Sequence, residues 1–514
     1  MHPFVRRALG IAVVAASLVA SSATPVGAAP SVAVTQAPPA TTSATSATIS
    51  FHVSSFRPAS ITCALDGARA RPCRSPVSYT RLRTGAHSLR IVAQRGRLAA
   101  STVVRWTVAA APAPTVAITD GPPEETESMV VAPPQPGAVS PAAPAVPRSP
   151  SAYTVPSGAV RVASAAELEA VLATSPARDI VLADGRYETA GWFSNHEGHR
   201  LYAERLGGAV LASGLEIGAN WGSGGAVVQG LTFDVSSLAQ AVHGALVHVW
   251  GPAGASTRVL DCVFRGNGAI AFGLLAYNPS GLVAKRLVFS SFTDVALRAS
   301  DNQAVPYGAA TPRIASIADV SVDGVGRPTP GASDGTAEAG LWIGHPVTAG
   351  VHRIAVRNVS WSGIETVNNA WDTTFTDLDI DMSGPKSAAA VGIYLEHFNH
   401  RNVFERFRIA GAATGITAEW ADPAWGGVAG AHEIVIRDGV IDAAGAREGK
   451  TFGVYLDEGT VSTTVTGVVF RNQSFAAIGA YKIAGTNRFE GNDTSGLRAS
   501  ALPLSTEHWS SPAP

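Results

Sequence analysis

Lysine is nearly missing from this chain: Lys285, Lys386, Lys450 and Lys482 are its only 4 among 514 residues. The basic charge is therefore almost all arginine, and 38 Lys+Arg against 39 Asp+Glu leave a net charge of -1. That balance offers nothing to draw in nucleic acid or an anionic membrane. Cysteine is also scarce, with only Cys63, Cys73 and Cys262, so one disulfide is the most the chain can close within itself. After the first 28 residues no apolar run is long enough to span a bilayer. Long stretches with helical periodicity are scarce too. Glycine, at 52 residues, is abundant, which suits many tight turns better than long helices.

Arg6 and Arg7 precede an apolar run from Ala8 to Ala20, followed by small residues through Val26-Gly27-Ala28. This is the pattern of a secretory signal peptide over 1–28, and it predicts a secreted, extracellular protein with no membrane span. Residues 31–110 contain short alternating runs such as Thr48–Val53 and Ser88–Val92, separated by turn residues, and read as a small β-sandwich. In an exported chain, Cys63 and Cys73 are expected to pair. The segment Cys63-Ala64-Leu65-Asp66-Gly67 through Pro72-Cys73, followed by Gly85-Ala86-His87-Ser88-Leu89, resembles a bacterial immunoglobulin-like module. That resemblance implies a spacer or adhesion role. Residues 111–156, dense in proline and alanine, read as a semi-extended linker.

From 157 to 495 the pattern changes. Ser164-Ala165-Ala166-Glu167 forms a capping box, with Leu168, Val171 and Leu172 on one helical face behind it. An apolar-x-x-apolar-x-apolar phrase then recurs, with middle members Leu231, Cys262, Leu287, Val320, Val359, Leu378, Phe407, Gly439 and Val468. In the fifth copy the triplet is read as Val356/Val359/Trp361. Short strands recurring at this irregular spacing, without helical patterning, predict an all-β solenoid. The domain resembles the right-handed parallel β-helix of the pectate-lyase-like superfamily. Ala166–Val171 together with Ile180–Tyr187 is similar to the opening of alginate and chondroitin lyases in that superfamily. Cys262 falls on an inward position and is expected to be a buried free thiol. Residues 496–514 read as a patternless tail.

Within the solenoid a second phrase occurs three times: Gly392-Ile393-Tyr394-Leu395-Glu396, Gly415-Ile416-Thr417-Ala418-Glu419 and Gly453-Val454-Tyr455-Leu456-Asp457. If these strands stack in parallel, Glu396, Glu419 and Asp457 form one outward column with neighbours about 4.8 Å apart. Trp342 and Glu365 would extend the column of Tyr394 and Tyr455, while Tyr481 would extend the acid column, with His248 further along it. Acids bracketed by aromatics suit a sugar site, because rings cover the apolar faces of pyranoses and carboxylates handle hydroxyls and protons.

The expectation is a carbohydrate-active hydrolase or lyase acting on a polysaccharide. Glu396, Glu419 and Asp457 would be catalytic, and Trp342, Glu365, Tyr394, Trp420, Tyr455 and Tyr481 would bind substrate. For an eliminative reaction, Lys482, Arg298, His397 and Tyr394 are the candidate bases. A calcium ion competes for the clustered carboxylates. Zinc is disfavoured at Glu396-His397-Phe398-Asn399-His400, whose histidines lie at a strand end. Solvated acids paired with arginine are the plain structural alternative. The functional alternative is a non-catalytic glycan- or cell-wall-binding protein. A monomer is expected.

Overall fold

The computed structural model describes residues 31–508 except for several stretches, the longest being 109–127, 132–140, 327–337 and 419–429. The expected leader, 1–28, lies outside the described residues. The chain divides into two compact units, Met1–Pro122 and Pro123–Pro514.

The first unit holds two sheets over one core. The strands Ser31–Gln36, Ala47–Ser54 and Val77–Tyr79 make one sheet, and a longer hairpin, Gly85–Arg95 with Leu98–Val108, dominates the other. Alternation along the hairpin sends Leu89, Ile91 and Ala93 inward to meet Ile49, Phe51 and Trp106. Cys63 and Cys73 are disulfide-bonded, with Cα atoms 5.8 Å apart.

The second unit is a parallel β-helix, as the repeat predicts. Its coils contribute strands to a 21-stranded and a 12-stranded sheet whose neighbours pair in parallel. One stacked inward row runs Leu287, Val320, Ile354, Leu378 and Phe407. Cys262 is fully buried in the same core and unpaired, and burial pushes its thiol pKa up to about 12. Stacked rings continue the logic at the neighbouring inward positions: Phe264 and Phe289 centroids lie 4.5 Å apart, and Phe375 and Phe404 lie 4.7 Å apart.

One coil departs from the expected register. Val359 does not join the row; it pairs with Val325, while Ile354 takes the place opposite Val320. The run Val351-His352-Arg353-Ile354-Ala355-Val356 fits the same apolar spacing as Val356–Trp361, so the phrase is ambiguous there. The pairing decides it, since Ile354 stands opposite both Val320 and Leu378. Nine successive corners place one residue in the left-handed region: Gly230, Asp261, Arg286, Asp319, Arg353, Asp377, Arg406, Asp438 and Gly467. Asn358, before Val359, is left-handed as well, but it is Arg353 that bonds the corner residue Asp319 of the preceding coil.

These corner residues alternate between aspartate and arginine and form a ladder of forked ion pairs. Arg286 donates to both Asp261 oxygens at 2.5 and 2.8 Å, Arg353 to Asp319 at 2.6 and 2.8 Å, and Arg406 to Asp377 at 3.1 and 3.2 Å. The two-pronged geometry offsets the roughly 1 kcal/mol that a left-handed non-glycine residue costs.

The proline-rich segment is more than a linker. Residues Ser128–Val131 form a strand parallel to Thr486–Glu490 on the last coils. Further on, the backbone N–H groups of Ala145, Arg148 and Ser151 donate to Asp377, Asp319 and Asp261. The Tyr153 hydroxyl then donates to the carbonyls of Ala203 and Gln229, and Val160–Val162 pairs with the first coil strand, Asp179–Leu182. The described residues of this strap, 128–131 and 141–162, thus bond to the solenoid at its last coils, along its middle and at its first coil. Its prolines, Pro141, Pro144, Pro147 and Pro150, recur every third residue, and each is half-buried between exposed neighbours. A polyproline II helix rises about 9.3 Å per three residues, and two coils rise about 9.6 Å. One turn of strap thus matches the spacing between successive aspartates.

The ends are closed as well. Ala165–Leu172 is a helix capped by Ser164, whose hydroxyl accepts from the Glu167 N–H, and its Leu168 and Leu172 cover the first-coil core. At the other end Leu502–Ser505 adds a final strand beside Ala476–Ala480, so the solenoid extends beyond 495 into the expected tail. Among the described residues no helix is long and apolar enough to cross a membrane.

Candidate functional site

The glycine phrase has a steric origin. A Cβ on Gly392 or Gly415 would fall 2.5 Å from Ile409 Cγ2 or Ile441 Cγ2 on the opposite sheet, and one on Gly453 only 2.2 Å from the Phe470 ring. Only glycine lets the two sheets approach at this level. The residues after it then alternate, sending Ile393, Ile416 and Val454 into the core and Tyr394, Thr417 and Tyr455 outward.

The register extends this outward column along the 12-stranded sheet as Glu216, His248, Leu275, Arg298, Trp342, Glu365, Tyr394, Thr417 and Tyr455. Trp342, Glu365 and Tyr394 are thus brought together on consecutive coils, as expected. Trp342 is half-buried beneath the Arg298 guanidinium, whose carbon lies 4.6 Å from the ring centroid. Glu365 is only 1 % exposed and accepts from the Ser362 hydroxyl at 3.1 Å. The half-buried Tyr394 ring meets Trp361 edge-on at 6.0 Å.

Two expectations need correction. His248 stands in this first column, not in line with the acids, because Glu216 pairs with it directly. Tyr455 points outward but is 2 % exposed, enclosed by Phe452 and Ala476 with Phe475 and Tyr481 packed against that cluster. Gly479 on the next coil leaves the space that its ring fills. Tyr455 therefore presents no open face to a sugar.

The acid column lies one step further along each strand. The Glu396 N–H donates to Thr366 O and the Asp457 N–H to Ala418 O, so both acids continue the ladder just past the strand ends, half-buried. The coil of Thr414–Ala418 lies between them. Glu419, Trp420 and His397 lie outside the described residues. Tyr481 follows Asp457 on the next coil, half-buried, with its ring 4.5 Å from that of His508.

A second constellation sits toward the N-terminal coils. Val242 and Ala245 exchange backbone hydrogen bonds around a turn in which His243 and Gly244 both have positive φ. That turn folds His243 back over His248, with ring centroids 4.8 Å apart. Trp250 and Tyr277 meet His248 edge-on at 4.9 and 5.6 Å. His248 is fully buried, and among the described residues neither of its ring nitrogens has a hydrogen-bond partner. Burial, reinforced by His243, pushes its pKa down to about 4. The sequence signal for this cluster, two histidines five apart around a His-Gly turn, is too common to single out alone.

No protein-family model and no curated protein matches the chain. Among solved structures, an alginate lyase from Paenibacillus sp. str. FPU-7 is similar, with 14% identity over 66% of this chain and 99% of that one and a TM-score of 0.31. A second, the PL6 family alginate lyase AlyGC, has 12% identity over 68% of this chain and 52% of that one, with a TM-score of 0.25.

Proposed function

We propose that this protein is a secreted polysaccharide-acting enzyme whose site is the outer face of the 12-stranded sheet. The observation that carries the reading is the run of Arg298, Trp342, the buried Glu365 and Tyr394 on consecutive coils, with Glu396 two residues beyond Tyr394 and Asp457 at the same position two coils on. Trp342 and Tyr394 supply the platforms for sugar rings. Glu396, Glu419 and Asp457 supply the acid and base. Adjacent coils hold carboxylates about 5 Å apart, near the retaining spacing, and alternate coils hold them nearer 9–10 Å, at the wide edge of the inverting one. Should the reaction be eliminative, Arg298 would neutralise a uronate carboxylate while Tyr394, as phenolate, takes the proton α to that carboxylate and returns it to the departing glycosidic oxygen as the C–O bond breaks. The N-terminal two-sheet unit would act as an immunoglobulin-like spacer.

The test is turnover on a panel of neutral and uronate polysaccharides, followed both by new reducing ends and by unsaturated products. Reducing ends alone mean hydrolysis, and both signals together mean elimination. Binding to a glycan with neither signal would replace the proposal with that of a non-catalytic glycan-binding protein.

A further inference from the structure

The ligand-capable atoms of Glu216, His243 and His248 all lie within 4.8 Å of one another. Ligands around a tetrahedral zinc-type ion with bonds of about 2.0–2.1 Å stand about 3.3 Å apart. Closing the remaining distance asks most of His243, which is exposed on its two-residue turn, and little of His248, which the fold fixes. A buried imidazole with two unpartnered nitrogens loses its hydration and gains nothing in exchange, so its environment calls for a missing partner. Its neighbours Trp250 and Tyr277 meet it through their rings. The polar groups that do face it are the Glu216 carboxylate, its strand partner, and the His243 imidazole. His196 Nε2 lies 3.5 Å from Glu216 Oε2, where it can orient that carboxylate.

We propose that Glu216, His243 and His248 bind one divalent d-block cation of the zinc type, leaving at least one coordination position open to solvent. Two imidazoles and one carboxylate suit zinc, cobalt, nickel or copper and do not suit calcium or magnesium, which take oxygen ligands. A cavity of about 460 Å³ lies nearby, lined by Glu169, Trp192, Ser194, His196 and Glu197 among others. Ser194 is the strand partner of Glu216, and the Trp192 ring lies 6.4 Å from that of His243. The site is independent of the acid column, which begins several coils away.

The test uses the untagged mature chain, stripped with a chelator and titrated with Co²⁺ and then Zn²⁺. One equivalent of Co²⁺ should bring up visible d–d absorption of tetrahedral intensity, and Zn²⁺ should abolish it. His243→Ala and Glu216→Ala change residues outside the main core, and each should weaken Co²⁺ binding at least tenfold while the melting curve of the metal-free protein stays in place. Glu396→Gln should leave the titration unchanged. Failure to take up either metal at micromolar concentration would overturn the proposal. So would unaltered binding in both the His243 and Glu216 variants, or loss of binding in Glu396→Gln.

Discussion

The backbone N–H of Ser151 donates to Oδ1 of Asp261 at 3.0 Å, although 110 residues separate them in sequence. The same carboxylate takes two bonds from Arg286 and one from Gln229. A single buried aspartate thereby joins the strap to two neighbouring coils. Asp319 repeats the arrangement with Arg148 and Arg353, and Asp377 with Ala145 and Arg406.

The ladder makes stability depend on acid. Burial alone would raise the pKa of Asp261, but the bonds from Arg286, Ser151 and Gln229 outweigh it and hold it below the ordinary aspartate value. Asp319 and Asp377 are depressed in the same way, burial opposing and the arginine and strap bonds prevailing. A depressed folded pKa contributes stability that is present above the unfolded value, about 3.9, and is lost as pH falls through the folded one. Melting temperature should therefore fall steeply below about pH 4. Asp261→Asn should lower it by the equivalent of about 3 kcal/mol at neutral pH, as expected for a broken buried pair, and should make the acid slope shallower. Calorimetry across pH in both proteins measures this.

The strap can be tested by proline itself. Arg148→Pro removes the N–H that Asp319 accepts and should cost about 2 kcal/mol, the range for a hydrogen bond to a charged group. Ser149→Pro removes no N–H bonded to the ladder and should stay within about 0.5 kcal/mol. Equal losses from the two substitutions in denaturant unfolding would show that the backbone bonds contribute nothing.

Two glycines on opposite sheets should resist enlargement. A Cβ at Gly439 would fall 2.2 Å from the Phe407 ring, and one at Gly453 would fall 2.2 Å from that of Phe470. Gly439→Ala and Gly453→Ala should each destabilise by about 1–3 kcal/mol. In Gly439→Ala, a second change of Phe407 to leucine should recover part of the loss.

Thiol chemistry should count one sulfhydryl. Native protein should react with no labelling reagent, since Cys63 and Cys73 are bonded and Cys262 is buried. Unfolding without reductant should release one thiol, and unfolding with reductant three.

For the proposed acids, Glu419→Gln should abolish turnover, because in the proposed column it would neighbour both Glu396 and Asp457 whichever pair does the chemistry. Stability should move by less than about 0.5 kcal/mol. Were calcium held in the column, the same substitution would lower the melting temperature, and a chelator would lower it in the parent protein.

Sequence pattern carries the solenoid well because every coil must bury the same kind of row, so Leu287, Leu378 and Phe407 announce themselves by spacing. It fails at Val359, where two overlapping triplets fit and only the pairing with Val320 and Leu378 on the neighbouring coils separates them. The strap was hidden for another reason. Prolines every third residue read as a linker unless the partner is known, and that partner is a set of aspartates scattered over more than a hundred residues. At the candidate site, alternation placed Trp342, Glu365 and Tyr394 correctly. It could not foresee that Phe475 and Phe452 close over Tyr455, since this depends on how a coil end folds back.

The strand Ser128–Val131 has its partner at Thr486–Glu490. As the chain emerges from a ribosome or an export channel, the amino-terminal edge of the strap must therefore wait for nearly the whole solenoid before it can dock. The coils can stack one upon another as they appear, but the buckle closes last. A truncation ending before Thr486 would leave Ser128–Val131 without its partner strand, while Asp261, Asp319 and Asp377 keep their bonds to Ser151, Arg148 and Ala145. Winding of the coils and closure of that last pairing are thus separable events in time.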